Sequence, residues 1–324
     1  SGSALNITGM GFKPDLIWIK NRDTADWHQL TDSVRGVDKQ IFPNATDAGD
    51  NATNKITSFD PDGFSLGSHE SVNTNTEEYI AWGWNMDGTS VANTTGDINT
   101  TVMANPTYGQ SIVAWTGTGS GSSPTVGHGL SSAPEMLMIK NRTDASYNWY
   151  VYHHNSHEYA YNRGLYLNST SALVASSAFF GATPTSSVFT IAGSGATHTN
   201  ISSKNYIAYC FHSVDGYSKV GSYTGNGNAD GTFVYTGFRP AFILIKRTDG
   251  AEDWWLQDNK RDIDNPLGEQ LYANANNAEV TEASQDLLSN GFKLRLNNGN
   301  WNGSNMSYIY IAFAETPFKY SNAR

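Results

Sequence analysis

Three strings of one make-up constrain what this chain can fold into. Each runs from a proline to a lysine six residues on: Pro14 to Lys20 (PDLIWIK), Pro134 to Lys140 (PEMLMIK) and Pro240 to Lys246 (PAFILIK). A proline followed by an unbroken apolar run reads as the start of a strand buried on both faces, because proline is tolerated at a strand's first position and a two-sided core leaves no polar alternation. On this reading the lysine marks the exit to solvent.

The surrounding pattern recurs as well. A second strand is expected at the aromatic segments Trp27-His28-Gln29-Leu30, Trp149-Tyr150-Val151-Tyr152 and Trp254-Trp255-Leu256-Gln257, with Trp27, Trp149 and Trp254 as equivalent core residues. An aromatic-x-Asn-x-x-x-Ala pattern then holds its spacing without a gap at Phe42/Asn44/Ala48, Tyr166/Asn168/Ala172 and Tyr272/Asn274/Ala278. Period-two strands follow at Phe64, Phe189 and Phe292, and each unit closes on Tyr-Ile-Ala-aromatic at Tyr79, Tyr206 and Tyr310. The second and third units also share an opening, at Ile112 to Gly117 and Val220 to Gly225, and Asp-Gly turns such as Asp62-Gly63 and Asp215-Gly216 separate the strands.

The expected fold class is therefore all-β: three tandem β-sandwich, jelly-roll-like repeats, the first copy lacking its opening strands. The expected boundaries are 1–88 for the incomplete first repeat, 89–107 for a linker, 108–216 for the second repeat and 217–324 for the third with its tail. An open apolar edge invites pairing, so the first unit is expected to borrow a strand from another subunit or from the tail, Phe318 to Arg324, which looks like the start of a further unit. Helices should be few, the segment Glu282 to Leu288 alone having a helical pattern.

Composition narrows the function classes. Charged residues are only 15% of the 324 and the net charge is −10, which disfavours phosphate backbones and anionic lipid, so no nucleic-acid partner and no membrane insertion are expected. No apolar run reaches transmembrane length. The single cysteine, Cys210, lies in an apolar run and reads as a buried small hydrophobe. The start Ser1-Gly2-Ser3-Ala4 has no initiator Met, as in a processed product or a fragment.

Catalytic constellations are thin. Asp60 with Asp62 reads as a turn, and Glu77 with Glu78 as a solvated edge. His153, His154 and His157 have ligand-like spacing without a second cluster to complete a metal set, and no metal site is expected there. No cofactor is expected: Asp-rich turns such as Asp249 to Asp253 read as structural turns, with weak structural Ca²⁺ binding as the alternative. Candidate ligand-binding residues are the aromatics peculiar to one copy: Trp301, Trp255, His153, His154, Tyr159 and Tyr161.

With the repeat in view, GFKPDLIWIKNR, DSVRG at Asp32 to Gly36, DGFSLG and EYIAWGW resemble a domain of unknown function found in tail-fibre and other structural proteins of tailed phages, notably marine and cyanobacterial ones. All three copies carry the pattern. The resemblance implies a virion or extracellular structural protein, such as a tail fibre, tail tip or decoration subunit, with no catalytic residues. It would contact host surface glycans, other virion proteins or further copies of itself, as a homo-oligomer, by family habit a trimer. A cellular carbohydrate-binding or filament protein and a capsular depolymerase are the alternatives. The second copy departs by lacking the Asp/Arg pair present at Asp32/Arg35 and Asp258/Arg261, which reads as a turn-fixing ion pair.

Overall fold

The computed structural model describes residues 2–193 and 198–318. It is nearly all β, and the three proline strings form the corresponding strand of three sheets: Leu16–Asn21, Met136–Asn141 and Pro240–Arg247. Each pairs antiparallel on one side with the aromatic strand, at Gln29–Asp32, Tyr150–His153 and Trp254–Asp258. On its other side lies the closing strand, Tyr79–Trp84, Asn205–Phe211 or Ser307–Ala314. Opening strands Gln110–Thr116 and Ser218–Thr224 add to the far edge of the second and third closing strands. No strand among the described residues pairs with the far edge of Tyr79–Trp84. Residues 319–324, most of the tail expected to begin a further unit, lie outside the described residues.

In the first two units one face of the sheet packs on a separate three-stranded sheet carrying Phe64 or Phe189, while in the third the eight-stranded sheet continues through Val280–Leu288 to the strand carrying Phe292 and folds back on itself, so that each unit is a sandwich with its own core. The opposite faces meet one another. Leu16, Trp18, Met136, Met138, Leu244 and Ile311 belong to a single buried cluster built from all three units. The units are therefore not independent beads: a shared core lies between them. Nor is 89–107 a linker, since Val91–Asn93 and Thr100–Asn105 extend the second sheet. Glu282 to Leu288 is likewise not helical but part of the strand Val280–Leu288, paired on both sides.

Registers correct the expected tryptophan equivalence. Ile19, Ile139 and Ile245 oppose Gln29, Tyr150 and Trp255, so the residue before each is His28, Trp149 or Trp254, and Trp27 stands one place outside. The motif asparagines fix these residues: Asn44, Asn168 and Asn274 accept the backbone N–H of His28, Trp149 and Trp254 at 3.0, 2.8 and 2.6 Å. Their side chains then reach the preceding unit in a closed ring. Trp149 Nε1 donates to Phe42 O, Trp254 Nε1 to Tyr166 O and His28 Nε2 to Tyr272 O, all at 2.9 Å.

Two of the three lysines, Lys140 and Lys246, take part in the same joints, while Lys20 Nζ donates to the carbonyls of Asn21 and Thr24 in its own unit. Lys20, Lys140 and Lys246 are fully buried rather than at an exit to solvent. Lys140 Nζ donates to the carbonyls of Thr46, Asn141 and Tyr147, and Lys246 Nζ to those of Thr170 and Glu252, so an ammonium's donors satisfy loop carbonyls of two units at once. Burial lowers all three to about 8.

Candidate ligand-binding recess

Three of the six aromatics expected to face a ligand, Trp301, Trp255 and His153, are packed inside. Trp301 and Trp255 are 1% and 4% exposed and lie edge to face, their centroids 3.9 Å apart. The Asn/Gly loop folds inward because buried Asn302 donates to Asn226, Asn228 O and Leu296 O, which draws Trp301 into the core of the third unit. His153 is buried at the joint between the second and third units; its Nδ1 accepts from Asn155 N, and its Nε2 donates to Tyr310 O. Burial holds it neutral, its pKa lowered to about 3. His154 is half-buried beside it, and half-buried Tyr161 packs against the second core. Tyr159 alone is well exposed, its N–H donated to His157 Nδ1.

The carboxylates weighed for catalysis and cations have structural partners. Asp62 accepts from Gly9 and Gly11, Glu77 from Asn21 and Tyr79, and Glu78 pairs with Arg22 at 2.6 Å. Asp249 and Glu252 face Arg247, while Asp253 accepts from Asn274. Cys210 is buried, as expected, and burial pushes its thiol up to about 12.

The concave surface with ligand-like chemistry lies elsewhere, at Trp27. The equivalent positions in the other units, Asn148 and Asp253, turn an oxygen inward to accept from the motif asparagines Asn168 and Asn274. In the first unit the indole stands there instead. It is 43% exposed and braced edge-on against buried Phe42, centroids 5.1 Å apart. It borders a recess of about 440 Å³, whose polar lining includes Asp26, Gln29, Asp47, Asp50, Lys55 and His69.

The recess is rigidly built. Lys55 is 3% exposed, its Nζ 5.1 Å above the Phe42 ring and bonded to Gln29 Oε1 and Asp50 Oδ2 at 2.9 and 2.8 Å. Gln29 Nε2 in turn donates to Trp27 O, so the lysine, the amide and the backbone that carries the indole form one chain of bonds. Asp26 accepts from Asn21 and Thr24, and His69 Nδ1 from Ser71 N. An indole face beside carboxylates, an amide and an ammonium offers what a polyol needs: an apolar plate for its C–H face and a mixture of donors and acceptors for its hydroxyls. Sequence reasoning passed over Trp27 because its motif seemed shared with Trp149 and Trp254. The usable signal was spacing, since Lys20 to Trp27 is shorter than Lys140 to Trp149 and Lys246 to Trp254.

A family model described as a domain of unknown function, DUF7483, matches residues 1–317 as a single span. The chain belongs to this family. No curated protein and no solved structure matches it. The DUF7483 span covers all three sheets and the core between them, in keeping with units that share their joints.

Proposed function

We propose that this DUF7483 chain is a glycan-recognition protein that binds through the Trp27 recess, carried as a tail-fibre, tail-tip or decoration subunit of a virion. The observation that carries the reading is the replacement of an inward-facing acceptor by a half-exposed indole at one of three equivalent positions, beside a recess lined by carboxylates and a buried ammonium. A position that only stabilised the fold would keep the hydrogen bond its equivalents keep. The sequence pattern resembling phage structural proteins supports the virion setting.

Trp27→Ala tests the binding. On an array of bacterial surface glycans, the wild-type chain should retain a defined subset, and the variant should lose that retention while its melting temperature stays within a few degrees, because the ring is exposed. Unchanged retention by Trp27→Ala would put the binding surface elsewhere.

A further inference from the structure

The recess beside Trp27 differs from the matching places of the other two units in charge as well as in shape. Asp47 and Asp50 stand five and eight residues after Phe42, where the second unit has Ser171 and Val174 and the third has Asn277 and Val280. The registers agree with this spacing: Asp50 opposes Gln40 as Val174 opposes Gly164 and Val280 opposes Gln270. Two neutral positions of the repeat thus carry carboxylates only in the unit that also turns an indole outward.

Each carboxylate commits one oxygen to the fold. Asp26 Oδ2 accepts from Asn21 and Thr24, Asp47 Oδ1 from Gly49 N and Asp50 Oδ2 from Lys55. None of these bonds uses the second oxygen of any of the three. Lys55 is the sole ammonium or guanidinium in the lining among the described residues, and its Nζ is already bonded to Gln29 and Asp50. Lys20 and Lys140 are buried beside Asp26 and Asp47, their Nζ atoms bonded to backbone carbonyls. They soften the negative field there but, being fully buried, offer a ligand no donor.

We propose, resting on the reading of this recess as the glycan site, that it selects amino sugars bearing a free, charged amine over N-acetylated and acidic sugars. An ammonium donates three hydrogen bonds and accepts none, so it matches the second oxygens of Asp26, Asp47 and Asp50. Within about 6 Å of the indole face it gains a cation–π attraction as well. Acetylation removes the charge and two of the donors, and sets a carbonyl oxygen among carboxylates. A uronate adds a further negative charge to a lining that already holds three, with no uncommitted ammonium or guanidinium to meet it.

Calorimetric titration of the whole chain with tetrasaccharides of chitosan (free amines), chitin (the same chain N-acetylated) and oxidised cellulose (the corresponding glucuronate) tests this at about pH 6, where a primary amine is charged. The chitosan tetramer should bind about tenfold more tightly than the chitin tetramer, and the glucuronate should not bind detectably. Added sodium chloride should weaken the chitosan tetramer and leave the chitin tetramer nearly unchanged. Asp47→Asn, which keeps an oxygen for Gly49 N, should narrow the difference by about threefold or more. Trp27→Ala should abolish both affinities. Chitin binding as tight as chitosan binding, both lost in Trp27→Ala, would overturn the selectivity and leave the recess as the glycan site. No chitosan binding by the wild-type chain, or chitosan binding unaltered by Trp27→Ala, would also overturn it, and retention of Trp27→Ala on the glycan array would then decide the recess itself.

Discussion

Asp32, His153 and Asp258 occupy one position of the three sheets, and each answers the closing strand of the neighbouring unit. Asp32 accepts from Tyr209 at 2.7 Å and Asp258 from Trp82 Nε1 at 3.2 Å, each also holding its arginine, Arg35 or Arg261. In the third closing strand the corresponding residue is Ile311, which has no donor, and at that joint the position is His153, which donates to a main-chain carbonyl instead. The missing Asp/Arg pair of the second unit is therefore explained by its neighbour, and the pair is a joint between units as well as a turn. Asp32→Ala would leave the Arg35 guanidinium buried without its counter-charge, with an expected loss of about 3–5 kcal/mol in urea unfolding. Tyr209→Phe removes one hydrogen bond from the same group and should cost about 1 kcal/mol.

At the scale of strands and loops, the proline strands were the clearest expectation and their lysines the clearest error. An apolar run ending in lysine predicts an exposed charge when only the strand is considered; carbonyls of each lysine's own unit, joined for Lys140 and Lys246 by one from the preceding unit, supply the partners that make burial tolerable. Burial lowers Lys20, Lys140 and Lys246 to about 8, below the value of about 10.4 in an unfolded chain. Above pH 8 the unfolded chain then binds more protons than the folded one, so stability rises with pH from about 8 until tyrosine ionisation near 10 opposes it. The urea midpoint measured across that interval should climb, and Lys140→Met should reduce the slope. The strand Val280–Leu288 teaches a similar lesson: local helical spacing yields to partners available on both edges.

For the whole molecule, the shared core decides the unit of stability. Met136, Met138, Trp149 and Val151 of the second unit are buried against residues of the other two, and the first and third units are further clasped by Glu279, which accepts from both Arg22 and Arg261 at 2.6 Å. Calorimetry of the full chain should therefore show one cooperative transition rather than three. Residues 89–216 expressed alone should bind a hydrophobic dye and melt without a sharp transition, because a complete apolar sheet face would lie open.

The sequence by itself determined the strands and their recurrence, because alternation, apolar runs and Asn spacing are local and repeat wherever the backbone does the same thing. It also placed Cys210 in a core and the Asp/Arg pairs in their turns. Only the tertiary structure decided which faces meet. The inward turn of Trp301, the burial of Lys140, Lys246 and His153, and the outward turn of Trp27 depend on groups 74 to 157 residues away or on a one-residue register. The far edge of Tyr79–Trp84, which has no opening strand among the described residues, likewise follows only from the order of strands in the sheet.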